Sequence, residues 1–431
     1  LINKIILKEE RKMIKKYWSL LTVIILAAMI MSACATATTA PVATVEPTAT
    51  TAAPVTITIW HQWSGDYLTA IQAVFTQYMA DHPNVTIVLD APQDVPSALQ
   101  VAIPAGEGPD IIGWANDAIG KYAINGYIAD MGTLGVTKDF LDSTYEPAAV
   151  NGVVWQDKIW ALPESQEAIA IVYNKAVVSE ADFPSDPMDF AGLLEMAKSY
   201  AEANPGKYLV CNQGLGGADP YHEAPIYFGF GVPGYVDDAG NVYLNTPEAT
   251  AAGNWIKDFS AYSPQEASYD ICNAGITDGT FASWWTGPWA IANLESAGID
   301  YGILSMGKPF VGIKTLMITQ NAVDRGTADL ALDIIKYYTN QANETQVALA
   351  NKTIPANTAA LNDPQIQALS TIKGFGASAN LGIPMANTPY ADAQWGPVGD
   401  ATQAIWNGSQ TPEEALAAAQ TAIETAIAGM K

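Results

Sequence analysis

The stretch "VTIVLDAPQDVPSALQVAIPAGEGPDIIGWAND" (residues 85–117) decides the fold. "VTIVLD" alternates in the manner of a strand, a helical stretch follows near 94–103, and "DIIG" (110–113) is short and apolar enough for a fully buried parallel strand. Upstream, "VTITIW" (55–60) also alternates, and Leu68, Ile71, Phe75 and Met79 recur at helical spacing. The resulting βαβαβ run predicts a doubly wound α/β lobe.

In that reading Trp114 lies just past the carboxyl end of a buried strand, where open α/β sheets bind ligands. Asp117, three residues on, falls on the same face of the following helix. An aromatic plate beside a hydrogen-bond acceptor suits a sugar, whose C–H faces stack on rings while its hydroxyls donate to carboxylates. Plainer roles stay open: Trp114 as half-buried packing, Asp117 as a helix N-terminal charge.

At 431 residues, 49% hydrophobic and 15% charged, the chain is long enough for a large core in two lobes. Its start reads as a secretory signal over residues 1–33, with Met13 the expected true start. Lys15 and Lys16 precede an apolar run from Leu20 to Met31, then Ser32-Ala33-Cys34, too short and wrongly flanked for a membrane span. The small-small-Cys ending resembles a bacterial lipobox, with Met31 where Leu is usual. That resemblance implies cleavage before Cys34 and its lipidation; a plain secretion signal followed by an incidental cysteine is the alternative. Several acyl chains on one residue would hold a protein on a membrane, since one alone is marginal. Residues 34–54, Thr/Ala/Pro-rich after the cysteine, read as a tether of roughly 70 Å at most, at about 3.5 Å per residue.

The formal net charge is −24, and loss of the +4 signal leaves −28. So acidic a surface argues against nucleic acid, anionic lipid headgroups and polyanionic ligands, leaving neutral ligands. Cys211 and Cys272 are either one disulfide or two separately buried thiols.

Farther on, "EAIAIVYNK" (167–175) reads as a buried strand, and "NVYLNTPEATAAGNWIKDF" (241–259) as a strand, a Thr-Pro helix start and a helix. "TPEEALAAAQTAIETAI" (411–427) carries a capping box at Thr411 and Glu414, with Leu416, Ile423 and Ile427 as a helical stripe. "DDAG" (237–240) is a hairpin turn, since the later ligand positions of a calcium loop are missing. His222, beside Tyr221 and Glu223, raises the question of a metal site. With three histidines in the chain, scattered surface residues are the better reading, and no metal or cofactor is expected.

Four segments carry a family resemblance: "AGEGPDIIGWANDAIGKYAINGYIADM" (105–131), "LPESQEAIAIVYNKAVV" (162–178), "TGPWAIANL" (286–294) and "KPFVGI" (308–313). In this order they resemble the maltose/maltodextrin-type extracellular solute-binding proteins (family 1) of ABC sugar importers, in lipoprotein form. The resemblance implies a two-lobed α/β fold of the type II periplasmic-binding-protein kind, each lobe a sheet flanked by helices, with a sugar clamped in the cleft. The expected first lobe is 55–165 with 316–361; the second is 166–315 with 362–431. Trp114 and Asp117 match the family's Trp and Asp, and Glu167 its cleft glutamate. Asp219 and Tyr221 of "DPY" match an acidic-Pro-Tyr motif, while Trp289 and Trp395 match two further stacking tryptophans. Where the family has cations and a ring, this chain has Ala118, Gly396 and Gly399, while "HQWSGD" (61–66) adds Gln62 and Trp63 as candidates. The cleft is therefore expected to lose cations and a ring.

The expected function is a lipid-anchored extracytoplasmic receptor, a monomer, that captures a neutral sugar and delivers it to an ABC permease. Two other classes compete: a glycoside hydrolase using the Asp117 and Glu167 carboxylates, and a lipid-anchored lectin or adhesin without a transporter. No phosphate loop, nucleophile elbow or zinc helix supports other chemistry.

Overall fold

The computed structural model describes residues 53–430. The signal segment, Cys34 and nearly all of the tether lie outside the described residues. Strand β1 (Val55–His61) buries Ile57, Ile59 and His61 on one face. Helix α1 (Gly65–Asp81) follows, burying Ile71, Val74, Phe75 and Tyr78 along one stripe. After β2 (Val85–Asp90), helix α2 (Val95–Ala105) starts where the Asp94 side chain accepts from Ser97 N, and ends at Gly106 with φ 79°, a left-handed C-terminal position that glycine adopts without strain. Strand β3 (Ile111–Ala115) then pairs parallel to β1, as β2 does on its other side.

Apart from a two-stranded ladder, Val154–Trp155 against Lys158–Ile159, the remaining strands divide between two sheets. Strand β4 (Leu162–Glu167) belongs to the first sheet; β5 (Ala170–Asn174) and β6 (Tyr208–Cys211) belong to the second. Helices α3 (Pro220–Gly229), α4 (Pro247–Phe259) and α5 (Tyr269–Asp278) follow, then β7 (Phe281–Thr286) and β8 (Tyr301–Leu304) in the second sheet. The chain returns to the first sheet in β9 (Phe310–Ile318) and β10 (Ile354–Pro355). Helix α6 (Ser370–Leu381), the short β11 (Ile383–Pro384) beside β9, and helices α7 (Trp395–Trp406) and α8 (Pro412–Ala428) complete the fold.

The first sheet runs β10-β4-β9-β3-β1-β2 and the second β8-β5-β7-β6. Neither is purely parallel. Strand β9 arrives from the second lobe and pairs antiparallel with β3 and β4, whereas the βαβαβ reading alone predicts parallel neighbours. Each sheet has its own apolar core, one built on Ile57, Ile111, Leu162 and Leu316, the other on Ile171, Leu209, Trp285 and Ile405. The first sheet holds β4 as far as Glu167, β9 from Phe310 onward and β10, while Val398, Ile405 and Leu416 join the second core, so the chain passes between the two cores after Glu167, before Phe310 and again after Pro355.

The capping box at Thr411 and Glu414 forms, with reciprocal bonds of 3.2 Å, and Leu416, Ile423 and Ile427 are buried. Residues 241–245 do not form the expected strand. The turn at 237–240 closes, but Asp237 Oδ1 accepts from Ala239 N and Asn241 N, and a single bridge, Val236 to Val242, is all the pairing that follows. Helix α4 does begin at the Thr-Pro pair, capped by Thr246.

Candidate functional site

A cavity of about 720 Å³ lies in the cleft, within the size range of small-molecule sites. All nine residues singled out in the sequence line it: Gln62, Trp63, Trp114, Asp117, Glu167, Asp219, Tyr221, Trp289 and Trp395.

On the first lobe, Trp114 is half-buried inside β3, its carbonyl accepting from Thr315 Oγ1 at 2.9 Å. Asp117 lies in the 3-10 turn Asn116–Ala118, so the two residues do not share a helical face as their spacing suggests. Asn116 pins that turn: its buried side chain donates to Met385 O (3.0 Å) and accepts from Ile313 N (2.9 Å). Trp63 is 4% exposed and stacks on His61 at 4.8 Å. A Cβ at Gly113 would come to 2.9 Å from the Trp63 ring, so Gly113 makes room for it. Trp63 is therefore as much core as cleft wall. Gln62, exposed, lies at the rim beside it.

On the second lobe, Asp219 caps α3, accepting from Tyr221 N at 3.1 Å, and its Oδ2 lies 2.7 Å from His222 Nδ1. Tyr221 donates to the carbonyl of Glu167 at 3.2 Å and stacks on Phe310. Trp289 occupies the short turn Pro288–Ala290 after β7 and packs against apolar residues of both lobes. Trp395 opens α7 with its ring against Phe310.

His222 and His61 are buried, at 4% and 2% exposure, not scattered over the surface. His222 is held by the capping carboxylate of its own helix, and His61 closes an inward-facing strand stripe. Among the described residues no three metal-ligating side chains cluster.

The wall carries unbalanced charge. Burial, with the Asp392 carboxylate nearby, pushes Asp117 up to about 6 against hydrogen bonds from Trp395 and the backbone. Burial also raises Glu167, opposed by the Lys314 ammonium 3.4 Å from Oε1. For Asp219 burial pushes upward too, but His222, Gln213 and the Tyr221 backbone outweigh it and hold the carboxyl low. Behind the wall, Glu164 accepts from Tyr67 (3.3 Å) and Tyr338 (3.0 Å), and burial carries it to about 7.

The expected loss of cations and a ring is offset from elsewhere in the chain. Lys314 of β9 enters the cleft, and Tyr67 and Tyr269 bring rings. At Gly399 a Cβ would come to 2.6 Å from Ala218 O, so no longer side chain fits. Sequence reasoning missed Lys314, Tyr67, Tyr269 and His222. One signal could have found Lys314: it is the sole charge in the apolar strand "FVGIKTLMI", and a charge buried there requires a partner.

Two lobes that each furnish part of one ligand-sized cleft define a protein that takes a small molecule between them. The chain belongs to the bacterial extracellular solute-binding proteins, whose family pattern matches residues 73–374. It is 30% identical to a maltotriose-binding protein of Pyrococcus abyssi over 362 residues, 81% of this chain and 77% of that one. It is 25% identical to a galactooligosaccharide-binding protein of Bacillus subtilis over 342 residues, 74% of this chain and 77% of that one. The fold is that of the Thermus thermophilus maltotriose binding protein solved with maltotriose. The TM-score is 0.74 at 21% identity, covering 86% of this chain and 100% of the other. The family is one of solute-binding proteins. Among the described residues no helix is long and apolar enough to cross a membrane.

Proposed function

We propose that this protein captures a neutral oligosaccharide of the maltodextrin kind and hands it to an ABC permease, anchored to the outer face of a membrane through a lipidated Cys34. One observation carries the reading: rings from both lobes, Trp114 from one and Tyr221, Trp289 and Trp395 from the other, share a cavity with Asp117, Glu167 and Asp219. Rings take the C–H faces of a sugar and carboxylates take its hydroxyls. The names of the Pyrococcus and Bacillus relatives support an oligosaccharide over other solutes. Each lobe offers part of the site, and contacts completed on closure supply the differential affinity that shifts the population toward the closed form, which a permease would engage. The family description favours binding over hydrolysis.

The test is a thermal-shift panel of mono- and oligosaccharides, including maltotriose and galactooligosaccharides, because a ligand that binds only the native state raises its melting temperature. Stabilisation by a neutral oligosaccharide, recovered intact by chromatography after long incubation, is the expected result. A panel without a stabilising sugar, or recovery of cleavage products, would overturn it.

A further inference from the structure

Lys314 is the lysine of the cleft lining. Its side chain is 14% exposed and lines the cavity. Its Nζ lies 4.7 Å from the centre of the Tyr67 ring on the first lobe and 5.5 Å from that of Trp289 on the second. The carboxylate oxygen facing it, Glu167 Oε1, is 3.4 Å away, long for a charge-assisted hydrogen bond. That oxygen is buried and has no hydrogen-bond donor among the described residues. A buried carboxylate and a half-buried ammonium therefore face each other with hydrogen-bonding capacity left over, an arrangement that costs stability unless something completes it.

Building on the sugar-receptor reading above, we propose that Lys314 is a ligand-contacting, specificity-determining residue that reads one sugar hydroxyl jointly with Glu167. A hydroxyl is at once donor and acceptor, so one such group donates to Glu167 Oε1 while accepting from Lys314 Nζ. A carboxylate cannot donate to Glu167 and would also meet Asp117, Asp219 and Asp392 on the same wall. A ring bearing hydrogen at that position leaves both ionic groups unfulfilled, the circumstance in which a polar site rejects an analogue most strongly. Because the ammonium also rests on rings of both lobes, the contact forms where closure brings those rings together.

The experiment is a double-mutant cycle read by titration calorimetry with maltotriose, or with whichever neutral oligosaccharide of the panel stabilises the wild type. The proteins are wild type, Lys314→Met, Glu167→Gln and the double variant, each first checked by circular dichroism for a cooperative melt. Each single change should weaken binding more than tenfold, and the double variant should be no more than about threefold worse than the weaker single, since both residues read one group. Within a series of monodeoxy analogues of that sugar, one member should bind wild type more than tenfold worse than the parent, yet bind the double variant as the parent does. Lys314→Met binding within twofold of wild type, losses that multiply, or no such analogue would overturn the proposal. If Lys314→Met fails to fold, Lys314→Gln and the charge-neutral double variant carry the same comparison. A wild type that binds none of the neutral sugars sinks the receptor reading itself, and this assignment with it.

Discussion

His222 Nδ1 lies 2.7 Å from Asp219 Oδ2, while His222 Nε2 is buried in the cleft wall with no hydrogen-bond partner among the described residues. An ionised carboxylate only accepts, so Nδ1 carries the proton between this pair. His222→Phe should keep the ring contacts with Tyr221 and Trp289 but release Asp219. Sugar affinity should fall by about 1–3 kcal/mol, the scale of a hydrogen bond to a charged group, measured by calorimetry. Because Asp219 is held below the usual carboxylate range, its contribution to stability is present above the unfolded pKa and is lost as pH falls through the folded one. The melting temperatures of wild type and variant should therefore converge in strong acid; an equal gap at pH 3 and pH 7 would contradict the assignment.

Asp117 and Glu164 have the opposite sign. Their folded values of about 6 and about 7 stand above those of an unfolded chain, so between roughly pH 4 and 7 the native state binds more protons. Stability must then fall as pH rises through that window. Ligand-free protein should melt at a higher temperature at pH 5.5 than at pH 8, and Glu164→Gln should flatten the difference. A melting temperature that climbs toward pH 8 would contradict it.

Much of this was legible in the sequence because it is local. Strand alternation gave β1 and β2, a short apolar run gave β3, and the Thr411–Glu414 capping box gave the start of α8. Asp219 and Tyr221 in "DPY" entered only through the family resemblance of that short motif, and no local periodicity points to them. The antiparallel insertion of β9 was not legible, since pairing between strands some 200 residues apart leaves no periodic trace in either. Lys314 was lost for the same reason: its role depends on Glu167, Tyr67 and Trp289, which the fold alone brings together.

Two cleft tryptophans should separate binding from folding. Trp289 is half-buried between lobes, so Trp289→Ala should weaken sugar binding by about 1–3 kcal/mol and reduce the fluorescence change on binding. Trp63 is nearly inaccessible, packed on His61, Phe75 and Tyr338, so Trp63→Ala should cost about 3–5 kcal/mol of stability. Equal effects of both changes on denaturant midpoint would remove the distinction.

The proposed anchor has a direct test. Cys34→Ser in the full chain should release the protein from the membrane fraction to the medium or periplasm. Retention of the variant on membranes would rule out the lipidated cysteine.

A disulfide joins Cys211 and Cys272, whose Cα atoms lie 5.6 Å apart across a separation of 61 residues. Cys211 ends β6. The next residue, Asn212, donates to His222 O and accepts from Gly214 N, fixing the approach to Asp219. Cys272 sits on α5 three residues after Tyr269, whose ring lines the cavity and whose hydroxyl accepts from Asn293 Nδ2. The bridge thus ties together two segments that carry cleft residues, besides restricting the unfolded chain. A closed loop of that length is worth about 4 kcal/mol by chain entropy alone, and observed losses on removing native bridges run to about 2–5 kcal/mol. The Cys211→Ala/Cys272→Ala double variant should lose that much stability in denaturant titrations while keeping measurable sugar binding at 25 °C, because hydrogen bonds still hold Asn212 and Asn293. A loss below about 0.5 kcal/mol would show that the bridge adds nothing to the fold, and abolished binding in a fully folded variant would make it part of the site's own geometry.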